Sequence, residues 1–305
     1  MSIKEHPPQQ LGDSSESLHV PVLLDAVLET LAPKEGERYL DLTAGYGGHA
    51  AAILNKTGNY SGSVLVDRDD YALEHLSALA SRGARLMHED FASAAQVLER
   101  AGEQFDVILV DLGVSSPQLD MGERGFSFRD DGPLDMRMDR RQHLSASTLV
   151  NKASKSELER IIRTYGEEPL TTARRYAEAI VSARPIQSTG QLAKIIEQAY
   201  RGKWAKVHPA TRTFQALRIA VNDELGQIET MLPLLPKLLT KGGRVGVISF
   251  HSLEDRLVKH SFKEQFDAGL EAELAPVTKK PILGATDDVH NPRSRSAKLR
   301  VAVKK

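Results

Sequence analysis

The chain has no cysteine among its 305 residues. That excludes disulfides, thiolate metal sites and a cysteine nucleophile, and it fits a reducing cytosol. An excess of one charge is also missing: 40 Lys and Arg face 41 Asp and Glu, for a net charge of −1. Proteins that coat nucleic acid without selectivity are usually basic, so a nucleic-acid role here must rest on local patches. No apolar run approaches the length needed to span a bilayer. Residues Met1 to Leu18 lack the apolar stretch of a signal peptide and read as a disordered tail. A cytoplasmic protein with no membrane partner is the expectation.

Five short apolar runs bounded by glycine and acids suit buried parallel strands: Tyr39-Leu-Asp41, Ser63 to Asp67, Ala84 to His88, Phe105 to Asp111 and Gly243 to Phe250. Helical patterns lie between the early runs, at Gly48 to Lys56, Asp69 to Ser81 and Ser93 to Ala101. Strand and helix alternating in this way predict an α/β, doubly wound, Rossmann-like sheet. The alternation breaks after Asp111. From Leu119 to about Arg212 only helical patterns appear: Ser145 to Lys152, Ser154 to Thr164, Thr171 to Ala183 and Thr189 to Tyr200. The economical division is a tail over 1–18, a discontinuous sheet domain over 19–118 and 213–305, and an inserted all-helical domain over 119–212.

Gly45, Gly47 and Gly48 follow the first strand and open a helix, so the backbone there can turn sharply and approach a ligand. Such a turn serves equally to join strand to helix, and its spacing departs from the dinucleotide fingerprint G-x-G-x-x-G, which disfavours NAD. Asp67 ends the second strand, where an acid accepts bonds from ribose hydroxyls, or else caps the next helix. Asp69 and Asp70 stand ready for the capping role. Asp90-Phe91 follows the third run, with Phe91 an adenine contact or core. Asp111-Leu-Gly-Val-Ser-Ser-Pro-Gln-Leu119 ends the fourth. Asp111, Ser115 and Ser116 are acceptors of the type needed to localise the lone pair of a cytosine amine. Amino-methylating enzymes carry a related (Ser/Asn/Asp)-Pro-Pro-aromatic motif, of which Ser116-Pro117-Gln118 keeps the first half. Without a cysteine, ring-carbon methylation of pyrimidines through a covalent intermediate is excluded.

Other groups are candidates for holding RNA. Arg124 and Phe126, with Arg137 in the following Gly132 to Asp139 stretch, could stack a base or grip phosphate, or form a packed loop. Arg212 and Arg218 could reach phosphate or neutralise nearby acids. Arg293 and Arg295 open a basic terminus, Arg293 to Lys305, that contains no acid and reads as a solvated tail or an RNA patch. His251 ends the fifth run and could contact substrate or relay a proton. Ser252 with Asp255 looks like ordinary helix capping. No histidine–carboxylate spacing argues for a metal site.

Taken together, these motifs resemble those of the bacterial 16S rRNA cytosine-N4 methyltransferases, the RsmH (formerly MraW) family. The resemblance runs from His19-Val-Pro-Val-Leu23 to the C-terminus. It rests on Gly-Gly-His at 47–49, the Asp111 segment, Gly132 to Asp139, His208 to Arg218, Ser249 to Arg256 and Asn291 to Arg300. It implies a Rossmann-like, S-adenosylmethionine-dependent methyltransferase with an inserted helical domain, acting on the cytidine at position 1402 of 16S rRNA. It implies cofactor contacts at Gly47, Gly48, His49, Asp67, Phe91, Asp111 and Gln118. Asp111, Ser116 and His251 are the candidates near the reacting groups. The expected partner is 16S rRNA within the small ribosomal subunit, with a homodimer left open. Rival readings are a Rossmann oxidoreductase, an RNA-binding assembly factor and a DNA amino-methyltransferase.

Overall fold

A computed structural model describes residues 21–202, 207–278 and 280–305. The expected tail, Met1 to Leu18, and the start of the His19 motif lie outside the described residues. Eight strands form one sheet: β1 (Tyr39–Asp41), β2 (Val64–Asp67), β3 (Arg85–His88), β4 (Phe105–Asp111), β5 (Leu239–Ser249), β6 (Leu274–Pro276), β7 (Ile282–Leu283) and β8 (Lys298–Lys304). The order is β3-β2-β1-β4-β5-β8-β6, with β7 also on β8. The first five strands are parallel. β8 then runs antiparallel to β5, and β6 and β7 share its other edge. The chain reverses its direction of travel across the sheet between β1 and β4, which opens a crevice at their C-terminal ends.

Alternation along the strands feeds two cores. On β4, Ile108 and Val110 face one layer with Leu98 and Phe262. Val107 and Leu109 face the other, against Leu31, Ile53 and Leu54. Both faces are covered, which is why β4 reads as a continuous apolar run. Asp69 caps the helix Asp70–His75, accepting from the Tyr71 N–H at 3.2 Å. Asp90 caps Phe91–Arg100 through the Ser93 N–H at 2.8 Å. The single helix expected over Asp69 to Ser81 is two, Asp70–His75 and Ser77–Ser81, broken at Leu76. Leu76 is buried under Gly47.

The basic terminus is not a solvated tail. Its last part is β8, whose Leu299, Val301 and Ala302 are buried. Two of its cations, at Lys298 and Arg300, bind Asp255 at 2.9 and 2.8 Å. Asp255 therefore serves the sheet rather than a cap; the cap of the helix Ser252–Asp267 is His251, in a reciprocal box with Glu254.

Between β4 and β5 the described residues form no strand beyond one isolated bridge, Pro133 to Ser188. Helices Ala146–Lys152, Lys155–Tyr165, Leu170–Ser182, Thr189–Ala199 and Ala210–Asn222 surround a third core. Lys155–Tyr165 begins at Ser154, which accepts from the Glu157 N–H at 3.1 Å. Its Leu158, Ile161 and Ile162 lie at helical spacing and are buried. Each such side chain contributes roughly 1.5–3 kcal/mol. Ala210–Asn222, which the expected boundary at 212 cuts near its start, packs into this core through Phe214, Leu217 and Val221.

Candidate active site

The strand ends converge on a cavity of about 830 Å³ at the β1–β4 crevice, within the range of small-molecule sites. Gly45, Gly48, His49, Asp67, Phe91, Asp111, Ser116 and Gln118 all line it. Gly47 stands just behind. It caps the helix Gly48–Thr57 at φ 80°, and a Cβ there would sit 2.9 Å from Leu76. At Gly48 a Cβ would meet Pro21 at 2.5 Å. The two glycines thus bring the helix start against its neighbours where any larger residue would push it away.

Asp67 does not cap a helix. Its carboxylate accepts from the Gly45 N–H and the Asp69 N–H, both at 2.8 Å. It therefore fixes the glycine loop and still presents lone pairs to the cavity. Phe91 forms part of the wall and is nearly buried. The Gln118 amide is largely committed: it donates to Asp69 at 2.7 Å and accepts from the Ser115 N–H at 3.1 Å. Ser116 opens the short helix Ser116–Asp120, with Ser115 as its cap and Pro117 in the first turn.

Acids dominate this end of the site. Asp41 is buried, accepting from the Tyr39 hydroxyl at 2.6 Å and the Thr43 N–H at 3.1 Å. Burial pushes its pKa up to about 7 against those bonds. Burial, then the charges of Asp41 and Glu254, push Asp111 well above the usual carboxylate range. Burial also raises Asp67. The Oδ1 atom of Asp111 is buried with no hydrogen-bond partner. His49 does not neutralise it. Burial lowers the His49 pKa to about 4, and its Nε2 donates to the Val22 carbonyl at 3.0 Å. The neutral ring then turns a lone pair, not a proton, toward Asp111 Oδ2 at 3.6 Å. Among the described residues no Lys or Arg forms an ion pair with Asp41, Asp67 or Asp111. Such a site is electrostatically complementary to a cationic ligand.

The opposite wall carries residues that the sequence did not single out as a group. Glu224 and Glu254 are buried and line the cavity with Arg218 and Phe250. Glu254 accepts from the Phe250 N–H at 2.8 Å and the His251 N–H at 3.2 Å. Burial raises its pKa, but bonding and charge from His251, with Arg218 beyond, outweigh that and lower it. Its Oε1 lies 3.1 Å from His251 Nε2 without hydrogen-bond alignment. Glu224, His251 and Glu254 offer ligand atoms within 4.8 Å of one another. Arg218 already binds Glu224 through two 2.8 Å bonds, which gives one of the cluster's two carboxylates a cationic partner.

Several expected RNA contacts are elsewhere. Arg218 lines the cavity with both arms of its fork on Glu224. Arg124 is 3% exposed and paired with Asp69 at 2.8 Å. Phe126 is buried in the core of the helical body, so it cannot stack a base. Arg137 forks onto Asp135 at 2.6 and 2.9 Å. Arg293 lines the cavity and binds Asp120 at 2.6 Å. Arg295 is exposed, and Arg212 is 58% exposed, 3.9 Å from Glu168. His251 is held in its capping box and does not line the cavity.

Residues 16–305 match the MraW methylase family. A protein named ribosomal RNA small subunit methyltransferase H, from Nitratidesulfovibrio vulgaris (strain DSM 19637 / Miyazaki F), is 47% identical over 95% of this chain and 87% of its own length. Another of that name, from Cyanothece sp. (strain PCC 7425 / ATCC 29141), is 49% identical over 94% of this chain and 95% of its own. Among solved structures, an rRNA methylase from Streptococcus thermophilus aligns over 92% of this chain and 93% of its own at 10% identity, with a TM-score of 0.39.

Proposed function

The chain belongs to the MraW methylase family, and from that premise we propose that it methylates the N4 amine of a cytidine in 16S rRNA, at decoding-region position 1402, using S-adenosylmethionine. The observation that carries the cofactor assignment is Asp111, a half-buried carboxylate at the cavity wall with an unpartnered, buried Oδ1 and no Lys or Arg ion pair among the described residues, on the same cavity as Asp67. The relatives' shared name, a small-subunit rRNA methyltransferase, supports the substrate.

S-adenosylmethionine supplies a methyl group on a positively charged sulfur, which departs neutral and needs no acid. The residues that would hold it are the Gly45–His49 loop, with Gly47 setting the turn, Asp67 toward the ribose, Phe91 against the adenine and Asp111 toward the cationic end. Gln118 acts mainly by fixing Asp69 and Ser115. The chain's task is then to place a poor nucleophile in line and keep water away. Asp111 and Ser116 are the acceptors nearest the cradle for amine hydrogens. His251 is a positioning residue: it caps the helix that carries Glu254. Glu254, kept anionic at the facing wall, is suited to receive the amine's surplus proton.

The helical body, whose core includes Ala210–Asn222, is the part assigned to RNA recognition, with Arg212 one of its exposed cations. Calorimetry tests the cradle. S-adenosylmethionine should bind and NAD should not, and Asp111→Asn should weaken the former about tenfold or more, the loss of one charge-assisted contact. Unchanged affinity would remove Asp111 from the site.

A further inference from the structure

The segment after Asp67 is held mainly from outside its own half of the sheet. Asp69 is 1% exposed and accepts from Arg124 Nη1 at 2.8 Å and Gln118 Nε2 at 2.7 Å. Arg68 donates to the carbonyl of Asn222 at 3.1 Å. Arg124 lies on the ingoing connection to the helical body, and Asn222 ends the helix that leaves it.

Both residues close on one short stretch, Met136 to Met138. Arg124 Nη2 donates to the Arg137 carbonyl at 3.2 Å. The Asn222 amide donates to the Met136 carbonyl at 2.8 Å and accepts from the Met138 N–H at 2.9 Å. Met136 N–H donates to the Arg124 carbonyl at 3.1 Å. Met136 is fully buried at φ 59°, a backbone conformation that a non-glycine residue keeps only when its surroundings over-determine it. Met138, two residues on, lines the cavity. The Gly132 to Asp139 motif is therefore clamped from both connections and delivers one side chain to the site.

We infer that Arg124 and Asn222 are positioning residues that couple cofactor binding at the Asp67 loop to the placement of the helical body. The coupling rests on the functional reading above. Ligand that orders residues 67–69 also orders the hydrogen bonds that tie them to the body through Arg124 and Asn222, and linkage makes the effect reciprocal. Arg124 donates to Asp69 and to the carbonyls of Arg137 and Met138, so one buried side chain ties the Asp67 loop to the motif.

Amide hydrogen exchange of the full chain, with and without S-adenosylhomocysteine, tests this without RNA. Wild type should show exchange slowed about fivefold or more across Leu134–Met138 and Ala146–Lys152, the lower end of ordinary coupling. Arg124→Lys keeps the charge but loses the fork, and Asn222→Ala frees Met136. Both should still bind the compound and should lose that distant protection. Protection confined to the sheet in wild type, or retained in both variants, overturns the inference alone. Failure of the compound to bind wild type overturns the methyltransferase reading and this inference with it.

Discussion

Burial raises the pKa of both Asp41 and Asp111 in the ligand-free protein, and for Asp41 that makes a prediction about pH. Asp41 rises from its ordinary 3.8 to about 7. Between those values the native state holds a proton that the unfolded chain has released, so stability falls as pH rises through the window. His49, lowered from 6.5 to about 4, works in the opposite sense, costing stability as pH falls between those values. Comparison with Asp41→Asn separates the two: the variant should gain denaturation midpoint relative to wild type from pH 5 to pH 8. An unchanged difference would mean that Asp41 is ionised throughout. At Phe91, the substitution Phe91→Leu should weaken the cofactor by about 0.5–1.5 kcal/mol, the worth of an aromatic stack, and should also lower melting, because Phe91 packs in the core as well. Calorimetry reads this directly. The strand-end acids were legible from sequence because they follow apolar runs. Their lack of cationic partners was not, since only the fold reveals that Arg68 and Arg124 point elsewhere.

Among elements, β8 and the helix Ala210–Asn222 separate the structure most clearly from a reading of charge patterns. Arg293 to Lys305 shows six cations and no acid in sequence, and the acid that meets two of them is Asp255, more than forty residues away. The alternation of Leu299, Val301 and Val303 was the available signal for a strand. Ending the chain after Ala297 should remove β8, strip β5 of one of its two partners and leave β6 and β7 unpaired. Expression of that truncation should give insoluble or molten protein, whereas a solvated tail would leave melting unchanged. On the helix, Arg218 and Arg212 should behave oppositely. Arg218→Leu leaves Glu224 buried without its partner and should cost about 3–5 kcal/mol of stability. Arg212→Ala should alter melting little, weaken RNA binding and reduce the salt slope of that binding by about 1. Denaturation and salt-dependent RNA titration check the pair.

At the scale of the whole molecule, the parallel half of the sheet was readable because buried strands are short, apolar and separated by helices of regular length. The inserted body was readable as the place where that alternation stops. Its boundary was not, because Ala210–Asn222 shows the same amphipathic pattern whichever core it joins; Phe214 and Leu217 commit it to the body. The cradle and the facing Glu254 wall come from opposite ends of the chain, so no spacing rule could unite them. The central claim joins these parts: an acid-lined cradle holds the methyl donor, and the helical body presents a cytidine to it. The most direct measurement is transfer of labelled methyl from S-adenosylmethionine to small ribosomal subunits and to naked 16S rRNA, followed by digestion to nucleosides. The account predicts label in N4-methylcytidine, mapped to position 1402 and absent with Asp111→Ala; label in another nucleoside, or no transfer to either substrate, would contradict it.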